Sequence, residues 1–154
     1  MGADQGTVIL ARFRETYPLR RSEWLLAIAM LGMGVTYVVN QGLFDRPYFS
    51  TMARAAPQWA WAFAFVGVGA ARLVALIRNG GWRHSPHLRA IGAALAAMGW
   101  FQLALAAVQN DFIGQTVWLW PLFFIADAQA AFTAISEAKV NDQRNEAARA
   151  GRAA

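Results

Sequence analysis

WAWAFAFVGVGAARLVALIRNGGWRHSPHLR, residues 59–89, contains the plan of the whole chain. An apolar run from Trp59 to Ile77 holds one charged residue, Arg72, and stops at Arg78-Asn79-Gly80-Gly81. Asn-Gly-Gly favours positive φ and gives a helix no support, so the run ends in a turn. Trp82, Arg83, His84, Pro86, His87 and Arg89 complete a basic connection, and a second apolar run starts at Leu88. The same unit recurs on either side. In all, apolar spans are expected at about 24–43, 58–77, 88–108 and 116–136. Each is close to the ~20 residues that cross a bilayer core as a helix. The runs are continuously apolar rather than alternating, which excludes a β-barrel, and backbone groups in lipid must then be satisfied within each helix.

The expected fold is therefore an all-α integral membrane protein, a four-transmembrane-helix bundle spanning 24–136. A tail, 1–23, precedes it, and a mixed-charge, Ala-rich helical tail, 137–154, follows. Val8, Ile9, Leu10 and Phe13 would give the first tail a short interfacial helix with one apolar side, the open alternative being a frayed tail. A signal peptide is the competing reading of the first span. No small-x-small cleavage site follows it and three further spans do, so it is expected to be retained.

Composition agrees. Hydrophobic residues make up 57% of the 154 and charged residues 15%, against roughly 45–50% and about 25% in soluble domains. The net charge of +5 does not point to nucleic acid, because the basic residues sit in turns and tails and no reader motif accompanies them. With no cysteine, disulfides, thiolate metal sites and Cys nucleophiles are excluded.

Eleven of the fourteen basic residues fall in the first tail, the 78–89 connection and the last tail. The other two connections hold only Arg46 and Arg54. The positive-inside rule then puts both termini in the cytoplasm, of a bacterial inner membrane in this reading. Trp59, Trp61, Trp118 and Trp120 fall together as interfacial anchors at the outer surface, with Trp24 and Trp82 at the inner one. The expected surroundings are a bilayer with anionic headgroups, contacted by the turn that carries His84 and His87.

Arg72 and Asp127 are the ionisable residues well inside spans, on two helices that run in the same direction. Arg72 is 13 residues past Trp59 and Asp127 is 11 past Thr116, a depth difference of about 3 Å. Three roles are open: an ion pair that fixes helix neighbours and register, a carboxylate that carries a proton or cation, or an Arg72 that snorkels to headgroups. Gln102 and Trp100 interrupt the third span, facing either the interior or lipid. Gly92-x-x-x-Ala96 and Ala93-x-x-x-Ala97 permit close helix approach, within the bundle or between copies. Two histidines with no third ligand do not make a metal site, and no haem position exists within a span. No phosphate loop, nucleophile elbow or paired carboxylates appear. The expectation is a non-enzymatic protein without cofactor or metal.

Trp59, Trp61, Arg72, Leu73, Leu76, Asn79, Gly80, Trp82, Arg83, Pro86, Leu88, Arg89 and Trp100 form a pattern. It resembles small uncharacterised multi-span membrane proteins encoded by tailed phages and prophages. The resemblance covers residues 59 to about 136 and implies a viral or prophage context, without a catalytic role. The functions that follow as expectations are a holin-like or superinfection-exclusion protein working as a homo-oligomer, an accessory or assembly subunit of a larger membrane complex, or a small proton-coupled carrier using Asp127.

Overall fold

The computed structural model describes residues 20–81, 86–110 and 114–153, and among them every regular element is helical, with no strand. Four long helices, α1 (Arg21–Val39), α3 (Gln58–Gly81), α4 (Pro86–Gln109) and α5 (Leu119–Ala153), are joined with a short helix, α2 (Ser50–Ala55). Each long helix is apolar enough, and long enough, to cross a membrane. The protein is a multi-pass helical bundle.

Connectivity places both described chain ends at one end of the bundle, called here the tail end. The connection 40–57, the end of α4 and the start of α5 lie at the other, the loop end. α1 packs closely on α3, and α4 packs closely on α5. Contacts from α3 to α4 are sparser, and those from α1 to α5 fewer still. The helices thus run round the bundle in the order α1, α3, α4, α5, with α1–α4 and α3–α5 as diagonals.

Glycine sets the closeness of the first pair. A Cβ on Gly34 would lie 2.6 Å from the Val66 nitrogen, and one on Gly69 2.7 Å from the Leu31 nitrogen. The two backbones touch there, as small-residue helix contacts in membranes allow. On the second pair alanine does the same work: Ala93, Ala96, Ala97, Ala106 and Ala107 of α4 and Ala131, Ala134 and Ala138 of α5 are all buried. The centre is filled by Met30, Phe65, Trp100 and Leu103. Outward positions carry Phe63, Met98, Val108 and Phe132, each about two-thirds exposed or more. That is an apolar exterior suited to lipid.

The apolar run of the first span, Trp24 to Val39, leaves an extension to residue 43 open; α1 takes the shorter form and ends at Val39. The Asn40 backbone N–H and side-chain amide both donate to the Thr36 carbonyl, at 3.0 and 3.1 Å. Gly42 then adopts φ +79°, a conformation that favours glycine. Gln58 completes the stop: its Nε2 donates to the Tyr37 and Asn40 carbonyls, both at 2.7 Å, and its Oε1 accepts from the Phe44 N–H. One side chain at the start of α3 satisfies carbonyls that the end of α1 leaves open. The connection 40–57 contains two 3-10 turns (Leu43–Asp45 and Pro47–Phe49) and α2. A further 3-10 turn, Gln115–Trp118, leads into α5. α5 has 35 residues, about 52 Å at 1.5 Å per residue. It therefore outruns a ~30 Å bilayer core and continues as an exposed helix beyond Ala138. The interfacial helix expected in the first tail lies outside the described residues.

Candidate functional site: two charged clusters across the bundle diagonals

Arg72 leaves α3 with its side chain crossing the bundle toward α5. Gly92 of α4 makes the passage: a Cβ there would come within 2.9 Å of the Arg72 Cγ. The guanidinium meets Asp127 in two parallel hydrogen bonds, Nη1 to Oδ2 at 2.9 Å and Nη2 to Oδ1 at 2.5 Å. Trp100 of α4 donates its Nε1–H to the same Oδ2 at 2.8 Å. Asp127 is fully buried and Arg72 nearly so. Both carboxylate oxygens are therefore occupied by donors, and the charge pair has the planar, two-pronged geometry that is strongest for arginine. Of the sequence-level alternatives for Arg72, the structure displays the ion pair. Gln102 is half-buried and does not join it.

The second cluster was not foreseen. Arg89, in the first turn of α4, donates through Nε and Nη2 to the two oxygens of Glu23 on α1, at 3.1 and 2.6 Å. Its Nη1 donates to Glu137 on α5 at 2.6 Å. The Arg89 side chain is 5% exposed, Glu23 15% and Glu137 44%. Sequence reading assigned Arg89 and Glu23 to a basic turn and a polar tail. The usable signal was positional: Arg89 lies one residue inside the third span and Glu23 one residue before the first.

The two clusters are complementary. Arg72–Asp127 crosses the α3–α5 diagonal and Arg89–Glu23 the α1–α4 diagonal. Asp127 and Glu137 are ten residues apart on α5, so the crossings lie about 15 Å apart in depth.

At the loop end a third, uncharged network holds the connection 40–57 against the second helix pair. Tyr48 donates to the Leu103 carbonyl and accepts from the Trp120 Nε1–H at 2.8 Å. Ser50 Oγ donates to Asn110 Oδ1 at 2.7 Å and Thr51 Oγ1 to Gln109 Oε1 at 2.8 Å. Burial pushes the Tyr48 phenol up from its ordinary range, with the Trp120 N–H opposing.

The predicted anchors divide. Trp59 and Trp118 are exposed on the apolar exterior. Trp61 and Trp120 face inward: Trp61 donates to the Met52 carbonyl at 3.0 Å, and Trp120 stacks on Trp100 with centroids 5.8 Å apart. Trp24 is half-buried, and Trp82 lies outside the described residues, as does His84. His87 stands 3.5 Å from Asp142, both well exposed. Among the described residues no group of three metal-ligating side chains occurs.

Comparison with protein-family profiles, with curated proteins and with solved structures finds no match.

Proposed function

We propose that this chain is a non-enzymatic, phage-type inner-membrane protein that acts by associating with other membrane-embedded chains, as in superinfection exclusion. The observation that carries this reading is the closure of the charged interior. Intramembrane ionisable groups usually mark function, yet Arg72, Asp127, Arg89 and Glu23 all satisfy one another across the bundle. Such a bundle is braced, and its apolar outer faces are the surface left for partners. A proton carrier through Asp127 fits poorly with a carboxylate that three N–H groups already hold. A holin-like pore would have to form between copies; exclusion needs only a rigid bundle that meets another membrane protein. The phage context rests on the sequence pattern from Trp59 to Trp100 alone.

In this reading the tail end is cytoplasmic. The four arginines of the first tail, the three of the 78–89 connection and the four basic residues after position 136 then lie inside. A second reading, an accessory subunit of a larger membrane complex, draws on the α5 continuation. That continuation is exposed from Glu137 to Gly151 except at Ala138 and Asn141, and suits contact with a larger partner.

The test is induced expression of the intact chain in a bacterial host, following membrane potential and culture density, then phage challenge. Steady growth with intact potential and blocked DNA entry supports exclusion. A timed collapse of potential replaces it with the holin role, and normal infection with co-purification of a larger complex replaces it with the accessory role.

A further inference from the structure

We propose that the cleft between α3 and α4 holds an acyl chain of an anionic phospholipid, with its headgroup at the tail end. The cleft has a volume of about 370 Å³ and is walled by Gly67, Ala71 and Ala75 of α3 and Leu88, Ile91 and Leu95 of α4. It exists because these two helices pack sparsely, and because α3 presents glycine and alanine along this edge. A Cβ on Gly67 would meet nothing within 4 Å. The stem of Arg72 forms part of the floor, its charge turned away toward Asp127.

Dimensions choose the occupant. Gly67 to Ala75 is eight residues, about 12 Å along the helix axis. From Gly67, near the middle of α3, the walls run toward the tail end, where one leaflet of hydrocarbon is about 15 Å deep. The cleft is thus nearly one leaflet long. Its volume over that length averages about 30 Å² in cross-section, a slot on the scale of a single hydrocarbon chain.

Charge chooses the headgroup. Position 78, one turn beyond Ala75, is an arginine, and residues 78–89 include three arginines, two histidines and no carboxylate. Basic sites between helices at a membrane surface favour anionic headgroups. Arg89 is already held by Glu23 and Glu137, so the headgroup preference is assigned by sequence position to Arg78, one turn beyond the cleft.

The experiment is native mass spectrometry of the full chain in detergent, with dioleoyl phosphatidylglycerol or dioleoyl phosphatidylcholine added. The wild type is expected to retain one lipid and to prefer phosphatidylglycerol. Gly67→Phe, which fills the open end, should lose both lipids without losing thermal stability. Arg78→Gln should keep an acyl chain but lower the phosphatidylglycerol preference about fivefold, the ~1 kcal/mol of one arginine near the surface. Ala71→Leu is the second blocking variant, should Gly67→Phe not fold. Undiminished lipid retention in a folded blocking variant overturns the proposal. So does conversion of a dimer to a monomer by that variant, which would make the cleft a contact between copies. Neither result depends on phage challenge.

Discussion

Removing the Asp127 carboxylate should be among the most damaging single changes available to this protein. In Asp127→Ala three donors lose their acceptors at once: both Arg72 Nη groups and the Trp100 Nε1–H. Arg72 cannot reach water easily, because nine residues of α3, about 14 Å, separate it from the end of the helix at Gly81. Breaking a buried pair from one side costs about 3–5 kcal/mol. An uncompensated arginine at the centre of a membrane helix costs about 2.5–3.5 kcal/mol on insertion scales. These figures describe one effect, so the expected loss is about 3–5 kcal/mol rather than their sum. Arg72→Ala should cost less, because a carboxyl without its partner can take up a proton and keep the Trp100 contact. With both residues alanine the pair is gone from each side, and the double variant should be no worse than Asp127→Ala. The assay is a double-mutant cycle on the purified full chain, unfolded by a strong detergent in a mild one. A coupling of about 2 kcal/mol or more is expected; hydrogen bonds in membrane bundles average only about 0.6 kcal/mol. Losses that simply add would mean that the two side chains act independently, and the crossed-diagonal account would fall.

Three further outcomes can be read by the same unfolding assay. At the tail end the order of damage should be Arg89→Met, then Glu23→Gln, then Glu137→Gln. Glu137 is 44% exposed, and its loss should cost under about 1 kcal/mol after solvent screening; equal effects of the two glutamates would refute the ranking. Gly69→Leu, which would drive a side chain into the Leu31 backbone, should cost about 2 kcal/mol or more, whereas Gly32→Leu, in open space, should fall within about 0.5 kcal/mol of the wild type. For Tyr48 burial favours the neutral phenol. Its contribution is therefore intact below the ordinary tyrosine value near 10 and is lost as pH rises beyond it. The fall in Tm between about pH 8 and about pH 11 should be shallower in Tyr48→Phe than in the wild type, and an unchanged slope would remove Tyr48 from the alkaline transition.

The four spans were legible because apolar runs of about 20 residues have few other uses. The Arg72–Asp127 meeting was legible as a coincidence of depth on two parallel helices. Trp100 was seen as an interruption but not as a donor, since sequence spacing along α4 does not reveal which way a residue faces when that helix is apolar all round. Arg89 and Glu23 were hidden for a different reason. Charges at helix ends normally serve topology, and only the packing order α1, α3, α4, α5 brings them into contact. The early stop of α1 was signalled by Asn40 and Gly42. The partner that completes it, Gln58, lies 18 residues beyond Asn40, where no local rule would look.

The crossed charges also bear on how the protein is made. Residues 21–81 form one helix pair and residues 86–153 the other, and the two diagonal ion pairs, Arg72–Asp127 and Arg89–Glu23, each take one member from each half. The first half alone carries Arg72 without Asp127 and Glu23 without Arg89; the second carries Asp127 with only the Trp100 N–H and Arg89 with only the half-exposed Glu137. Neither half can rest in lipid as a finished product, and each holds a charge pattern that the other half answers. A ribosome releasing this chain delivers an intermediate that remains recognisably incomplete until α5 arrives. Two separately expressed halves, by the same reasoning, should find one another in the membrane.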